Sequence, residues 1–130
     1  MNVIALAIGG FAGTLFRYWL SEVIPPLGSG FPLGILIINL LGCFALGLLF
    51  TATPGRWRIP PQVRLGLGTG VMGAFTTFST FSVQSAALLR SGHAATAGLY
   101  IALSVGGGLA LAFAGVRLGR GLRTQGEGAP

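Results

Sequence analysis

The stretch GLGTGVMGAFTTFSTFS, residues 66–82, is the most unusual part of a strongly apolar chain. It lies in the third of four apolar segments and combines glycines with a cluster of hydroxyls and phenyl rings. The glycines lower the helix propensity, and non-helical backbone inside a membrane must be buried in protein or face a water-filled cavity. The stretch therefore predicts a transmembrane helix that is broken near the middle of the membrane.

The composition is that of an integral membrane protein built only from helices. Of the 130 residues, 52% are hydrophobic and 8% are charged, and the mean hydropathy is +0.81. Each apolar segment is close to the ~20 residues that a bilayer-spanning helix needs, and the four cover residues 3–20, 33–53, 65–89 and 94–116. We therefore expect one all-α transmembrane domain over residues 1–118 and a flexible basic tail at residues 119–130.

The positive charge of the chain comes from arginines that flank the apolar segments. This placement favours contact with membrane lipid over contact with nucleic acid. Arg17 and Arg90 fall on one side of the expected bundle. The other six fall on the side that carries both termini: Arg56, Arg58, Arg64, Arg117, Arg120 and Arg123. Because basic residues collect on the cytoplasmic side of a membrane, both termini are expected there.

The chain offers little for catalysis or for proton coupling. Cys43 is the only cysteine and His93 the only histidine, so no multi-residue metal site or Cys/His pair is expected. The sequence GTGVMG at residues 68–73 matches a dinucleotide fingerprint, but no βαβ unit surrounds it. The two acidic residues, Glu22 and Glu127, lie outside the apolar segments, which argues against a proton-coupled carrier or a cation exporter. We predict that the protein is not an enzyme.

Neutral polar groups in the third segment could instead serve an anion. Hydroxyl and amide groups donate hydrogen bonds that replace the hydration shell of an anion, and the edge of a phenyl ring is electropositive. Phe78 and Phe81 are three residues apart, as are Thr77 and Thr80, so each pair lies on one helix face. An alternative stays open, in which the rings are core packing and the hydroxyls bond back to their own helix.

The expected break in the helix offers a different kind of ligand. Backbone carbonyls that lose their helical partners, near Gly73 and Thr76, are neutral oxygen ligands that suit a hard alkali cation. A cation held there would raise the local potential for an anion.

Three stretches of the chain resemble the CrcB/Fluc family of fluoride-specific ion channels. They are GGFAGTLFRY at residues 9–18, GILIINLLGCFALG at residues 34–47 and GVMGAFTTFSTF at residues 70–81, and the third is highly specific. The resemblance implies a homodimer whose subunits insert in opposite orientations, with two fluoride pores along their interface. It also implies a bacterial or archaeal plasma membrane, or inner membrane, as the location.

The resemblance also implies roles for individual residues. A central structural sodium ion would be bound by the backbone carbonyls of Gly73 and Thr76. The fluoride pore would be lined by Asn39, Phe78, Phe81, Thr80, Tyr100 and Ser104. Arg17 would lie at the pore mouth, or its side chain would extend to the membrane interface.

Two features depart from the family pattern. The first is the loss of two polar side chains from the row of polar residues expected along the pore: Ile35 stands where a hydroxyl is common in the family, and Gly108 replaces a polar residue. The six-to-two distribution of arginines is also unexpected for a chain that inserts in both orientations. The bias is either tolerated, or the chain pairs with an oppositely oriented relative in a heterodimer.

The resulting interpretation is a passive fluoride channel that lowers the fluoride concentration of the cytoplasm. A small multidrug-type exporter shares the four-helix antiparallel dimer plan but needs a carboxylate in its first helix, and residues 3–20 contain none. A small subunit of a membrane complex, in which the Phe/Thr cluster is only packing, is the second alternative.

Overall fold

A computed structural model describes residues 2–28, 30–53 and 59–126, and their side chains as far as Leu122. Helix α1 is Asn2–Val23 and α2 is Leu33–Ala52. Helix α3 covers residues 61–75 and consists of Pro61–Leu65, a π-helical part Gly66–Met72 and a last turn Gly73–Phe75. Helix α4 is Phe78–Arg90. Helix α5 covers residues 94–126 and consists of Ala94–Ala102, a π-helical part Leu103–Gly107 and Gly108–Gly126.

Turn residues set the ends of the helices. Between α1 and α2, Leu27 and Phe31 exchange two backbone hydrogen bonds of 3.0 Å across a turn in which Gly30 has a φ of 87°. Pro61 opens α3, where its missing N–H costs nothing. Gly92 has a φ of 81° in the short turn between α4 and α5, a conformation that glycine adopts readily.

The third apolar segment is broken between α3 and α4. Thr76 has a ψ of 152° and Thr77 a φ of −145°, so both residues are extended between two helical pieces. Among the described residues, three helices are long and apolar enough to cross a membrane, namely α1, α2 and residues 94–122 of α5. The third segment adds two shorter helices. The protein is thus all-helical and passes the membrane several times, and its helix is interrupted where the glycines and hydroxyls predicted it.

Contacts between the helices fix their directions. In the pair α1 and α3, Gly9 lies against the backbone of Gly66, Gly13 lies against Val71, and the rings of Phe16 and Phe75 stack at 5.3 Å. Residue numbers rise together along this contact, so the two helices are parallel.

The pair α2 and α5 is also parallel. Gly47 lies against Ala112, and Thr51, further along α2, lies against Gly119, further along α5. Helix α2 runs antiparallel to α3, because Gly42 meets Thr76 whereas Phe50 meets Gly68. The four segments therefore alternate in direction, and the chain brings the start of α1 and the end of α5 to the same end of the bundle.

Helix α5 ends later than expected. It continues to Gly126, beyond residue 118, where the sequence analysis placed the start of a flexible tail. The helix is packed on α2 as far as Gly119, which lies against Thr51, and it continues beyond the end of α2. Helix α1 also extends beyond the expected span, to Val23, and α3 begins at Pro61 instead of residue 65. Glu127, Arg56 and Arg58 lie outside the described residues, as does the side chain of Arg123.

Few side chains are fully buried in the single chain. One core cluster joins α2, α4 and α5 through Leu36, Leu88, Ala97 and Tyr100. A second cluster joins α2 to the end of α3 through Ile35, Ile38 and Phe75. Many large apolar side chains are exposed, which is the pattern of a chain whose outer faces meet lipid or another protein.

Candidate functional site

The break between α3 and α4 is held by a side chain of α2. Asn39 Oδ1 accepts a hydrogen bond of 2.8 Å from the N–H of Thr77, and Asn39 Nδ2 donates one of 3.1 Å to the carbonyl of the same residue. One amide thus satisfies both backbone groups of an extended residue that lies between two helices. Thr77 is buried, so these groups have to find partners within the protein.

Helix α4 begins again with a side-chain cap. The Oγ1 atom of Thr77 accepts a hydrogen bond of 3.2 Å from the N–H of Thr80 and donates one of 3.0 Å to Thr80 Oγ1. Ser79 Oγ lies 3.3 Å from Thr77 Oγ1. The hydroxyls of Thr77, Ser79 and Thr80 therefore bond to one another and to the start of the helix, as N-cap residues do. The hydroxyl of Thr76 instead donates a hydrogen bond of 2.9 Å to the carbonyl of Met72 in α3.

The same contacts free two carbonyl groups. In a continuous helix the N–H of Thr77 would bond to the carbonyl of Gly73, and the N–H of Thr80 to the carbonyl of Thr76. Here these N–H groups bond to Asn39 and to Thr77 Oγ1 instead. Gly73 and Thr76, the two residues expected to bind sodium, thus lose their regular helical donors. Neutral carbonyl oxygens without donors are the ligand type that a hard cation prefers.

An open groove of about 490 Å³ lies between α2, α3, α4 and α5, and we call it the central groove. It is lined by six of the nine predicted site residues: Asn39, Gly73, Thr76, Phe78, Phe81 and Ser104. The structure thus brings to one surface residues that are spread over three apolar segments of the sequence.

The two phenylalanines have different surroundings. The ring of Phe78 is 80% exposed in the single chain, whereas Phe81 is half-buried. Their ring centroids are 5.7 Å apart, and the Phe81 ring packs at 5.4 Å against Tyr100. Core packing within this chain therefore does not account for Phe78, whose ring is free to contact a ligand, lipid or a second chain.

Of the two predicted site residues on α5, one is buried and the other lines the central groove. Tyr100 is fully buried behind Phe81, and its hydroxyl donates a hydrogen bond of 3.0 Å to Gln84 Oε1. Tyr100 therefore supports the Phe81 ring and does not line the central groove. Ser104 lines the groove, and its Oγ is buried with no hydrogen-bond partner among the residues that the structure describes. That hydroxyl is available to a ligand in the groove.

Arg17 and Thr80 lie elsewhere. Both line a second groove of about 510 Å³, beside α1, which we call the lateral groove. Ile35 lines it as well, so the hydroxyl that is missing at this position is missing from the lateral groove and not from the central one. Eight of the nine predicted site residues are thus divided between two grooves of the single chain, and the ninth, Tyr100, is buried.

Sequence reasoning missed two polar groups of the central groove, the hydroxyl of Thr69 and the thiol of Cys43. Cys43 lines the groove, and a Cβ placed on Gly108 would lie 3.4 Å from its Sγ. The thiol therefore adjoins the place where Gly108 removes a polar side chain. The signal was in the spacing, since Cys43 is one helical turn after Asn39 and lies on the same face of α2.

Comparisons with known proteins show the family of the chain. A family model described as "CrcB-like protein, Camphor Resistance (CrcB)" matches residues 4–116. The protein named fluoride-specific ion channel FluC in Oceanobacillus iheyensis is 45% identical over 117 residues, which cover 90% of this chain and 90% of that protein. The protein of the same name in Deinococcus radiodurans is 49% identical over 116 residues, which cover 88% of this chain and 91% of that protein. The protein named fluoride-specific ion channel FluC 1 in Moorella thermoacetica is 47% identical over 121 residues, which cover 92% of this chain and 86% of that protein. With matches of this extent, the chain belongs to the CrcB/FluC family of fluoride-specific ion channels.

Proposed function

We propose that this protein is a passive, fluoride-selective channel that lets fluoride leave the cytoplasm across the plasma or inner membrane. The observation that carries the proposal is the central groove, where Asn39, Phe78, Phe81 and Ser104 meet on one surface. The names of the relatives support fluoride as the ion. No charged side chain lines the groove among the described residues, which fits a path without a coupling acid.

Groups in the central groove can replace the water around an anion. Asn39 uses one Nδ2 hydrogen for Thr77 and keeps a second for a ligand. The hydroxyl of Ser104 has no partner in the described part of the chain. The edges of Phe78 and Phe81 add electropositive contacts without a formal charge. Because none of these groups carries a formal charge, fluoride can be bound weakly enough to leave again.

The pore itself requires a second chain. The central groove is open along one side of the single chain, and Phe78, one of its lining residues, is 80% exposed. An antiparallel dimer would cover this surface and create two equivalent pores. A homodimer is the simplest arrangement, and the distribution of arginines leaves a heterodimer with an oppositely oriented relative as the alternative.

The freed carbonyls of Gly73 and Thr76 would hold a structural sodium ion in this dimer. The residues fit the ion, since both carbonyls lack their regular helical donors and a Cβ placed on Gly73 would meet nothing within 4 Å. A bound cation would supply a fixed positive charge near the groove.

Fluoride efflux from liposomes tests the proposal. Vesicles loaded with potassium fluoride and containing the purified protein should release fluoride down its own gradient once valinomycin lets potassium leave with it, and matched vesicles loaded with potassium chloride should release little chloride. Phe78→Ile and Phe81→Ile should each lower the initial rate more than ~10-fold, since about 1.4 kcal/mol of lost ion stabilisation corresponds to a factor of ten. Phe113→Ile is the control, because Phe113 is an exposed ring on α5 that does not line the groove.

Two results would contradict the proposal in different ways. A wild-type protein that releases no fluoride would exclude the channel function and favour a subunit of a membrane complex. Unchanged rates in both ring variants would leave a channel but remove the role of the phenylalanines.

A further inference from the structure

Arg64 lies at one end of the central groove and is held there by an aromatic ring. Its guanidinium carbon is 5.1 Å from the ring centroid of Phe50, a residue that lines the groove. Gly68 makes room for this ring, since a Cβ on Gly68 would lie 2.9 Å from Phe50 Cζ. The stack of Arg64, Phe50 and Gly68 therefore places a cation beside the groove with little freedom to move away.

This end is the opening of the groove toward the chain termini. Along α2 the groove extends from Asn39 to Phe50, a helix length of roughly 16 Å at ~1.5 Å per residue. Asn39 and Phe78 mark the inner end, and Phe50 and Gly68 mark the outer one. Arg64 precedes Gly68 by one turn, so its charge lies beyond the last lining residues of α3.

The charge of Arg64 is not neutralised by the described part of the chain. Its Nε is buried and makes no hydrogen bond with any described residue. The chain has two acidic residues, and Glu22 lies near the end of α1 that faces away from this opening. Glu127 is outside the described residues. A guanidinium in a partly apolar setting keeps its charge and produces a positive potential that water screens only in part.

We propose that Arg64 recruits anions to the terminus-side opening of the central groove. This inference rests on the proposed fluoride channel and adds a residue that the sequence analysis assigned only to membrane topology. The positive potential would raise the local concentration of fluoride at the opening, while the neutral groups further inside would bind it during passage. Recruitment of this kind acts on the rate at which ions arrive, so it depends on ionic strength.

Arg117 provides a matched control. Its guanidinium lies 5.6 Å from the ring centroid of Phe113, so it also stacks on a phenylalanine. It belongs to α5 on the same end of the bundle, but neither it nor Phe113 lines the central groove. Arg64→Gln and Arg117→Gln therefore remove the same charge from the same end of each chain, and any effect of that charge on membrane orientation should be equal in the two variants.

The experiment measures initial fluoride efflux from liposomes of neutral lipid at two ionic strengths, set with potassium glutamate on both sides, with valinomycin present to carry the compensating potassium. At ~0.01 M the Debye length is ~30 Å and exceeds the length of the groove, whereas at ~1 M it is ~3 Å. Arg64→Gln should lower the rate roughly 3- to 10-fold at the low ionic strength and less than ~2-fold at the high one. Arg64→Lys keeps the charge and should retain more than about half of the wild-type rate. Arg117→Gln should have the same efflux rate as the wild type at both ionic strengths.

The possible failures can be separated. If the wild-type protein conducts and Arg64→Gln conducts equally at low ionic strength, the recruitment role is wrong while the channel stands. An equal loss at both ionic strengths would assign Arg64 to packing, and an equal loss in Arg117→Gln would assign the effect to general surface charge. Either result overturns the inference. A wild-type protein without fluoride efflux would remove the proposed function and this inference with it.

Discussion

Asn39 has a structural role besides the pore-lining role that the family resemblance implies. It lies in a strongly apolar segment and lines the central groove. In the structure its amide forms two hydrogen bonds with Thr77 and so holds the break in the third segment. The residue type was informative because an amide in a membrane segment needs partners. The partner, 38 residues away in the sequence, could only come from the fold.

Asn39→Ala should therefore disturb the break as well as the groove. The N–H and carbonyl of Thr77 would lose their partners, and a buried unsatisfied backbone group costs about 1–3 kcal/mol. We expect a lower melting temperature in detergent together with a fluoride efflux rate reduced more than ~10-fold. Ser82→Ala is a suitable control, since this exposed hydroxyl bonds only to the carbonyl of Phe78 in its own helix. A variant with normal stability and low efflux would instead assign Asn39 to ion contact alone.

At the scale of the elements, glycines allow α1 and α3 to pack with their backbones in contact. A Cβ on Gly9 or Gly13 would overlap backbone atoms of Gly66 or Val71. The sequence indicated this contact through the spacing of Gly9 and Gly13, which is typical of close helix pairs in lipid. It could not indicate that α3 would be the partner, nor that part of α3 would be π-helical.

Gly13→Ala tests this packing against a neighbouring glycine. The added methyl group would meet the carbonyl of Val71, and overpacking of this kind costs about 1–3 kcal/mol. Gly10→Ala is the matched control, because a Cβ there meets nothing within 4 Å and alanine favours the helix by up to ~1 kcal/mol. Thermal unfolding in detergent should show a lower melting temperature for Gly13→Ala only. Equal melting temperatures for the two variants would exclude the close contact.

At the scale of the whole molecule, the orientation of the chain in the membrane is the open question that a dimer raises. The described arginines Arg64, Arg117 and Arg120 lie at the terminus end of the bundle, opposite Arg17 and Arg90. Such a bias favours one orientation. A homodimer with antiparallel subunits requires both.

Cysteine labelling can decide between these arrangements. In a Cys43→Ser background, Asn2→Cys places one thiol near the start of α1. For an antiparallel homodimer, we expect a membrane-impermeant maleimide to label about half of the protein from each side of sealed vesicles. Labelling from one side only would contradict dual insertion and support a heterodimer with an oppositely oriented relative. Labelling after addition of detergent shows that the thiol is reactive in all molecules.

The sequence by itself determined the all-helical membrane character, the four segments and the position of the break, because these depend on local composition, length and helix propensity. It also placed the third segment in a known family through residues 70–81. Only the tertiary structure decided which polar groups meet. In the fold, Asn39 bonds to Thr77, and Arg64 stacks on the ring of Phe50. Arg17 and Thr80 line the lateral groove and not the central one. These contacts depend on how antiparallel helices align, which short-range patterns along the chain do not specify.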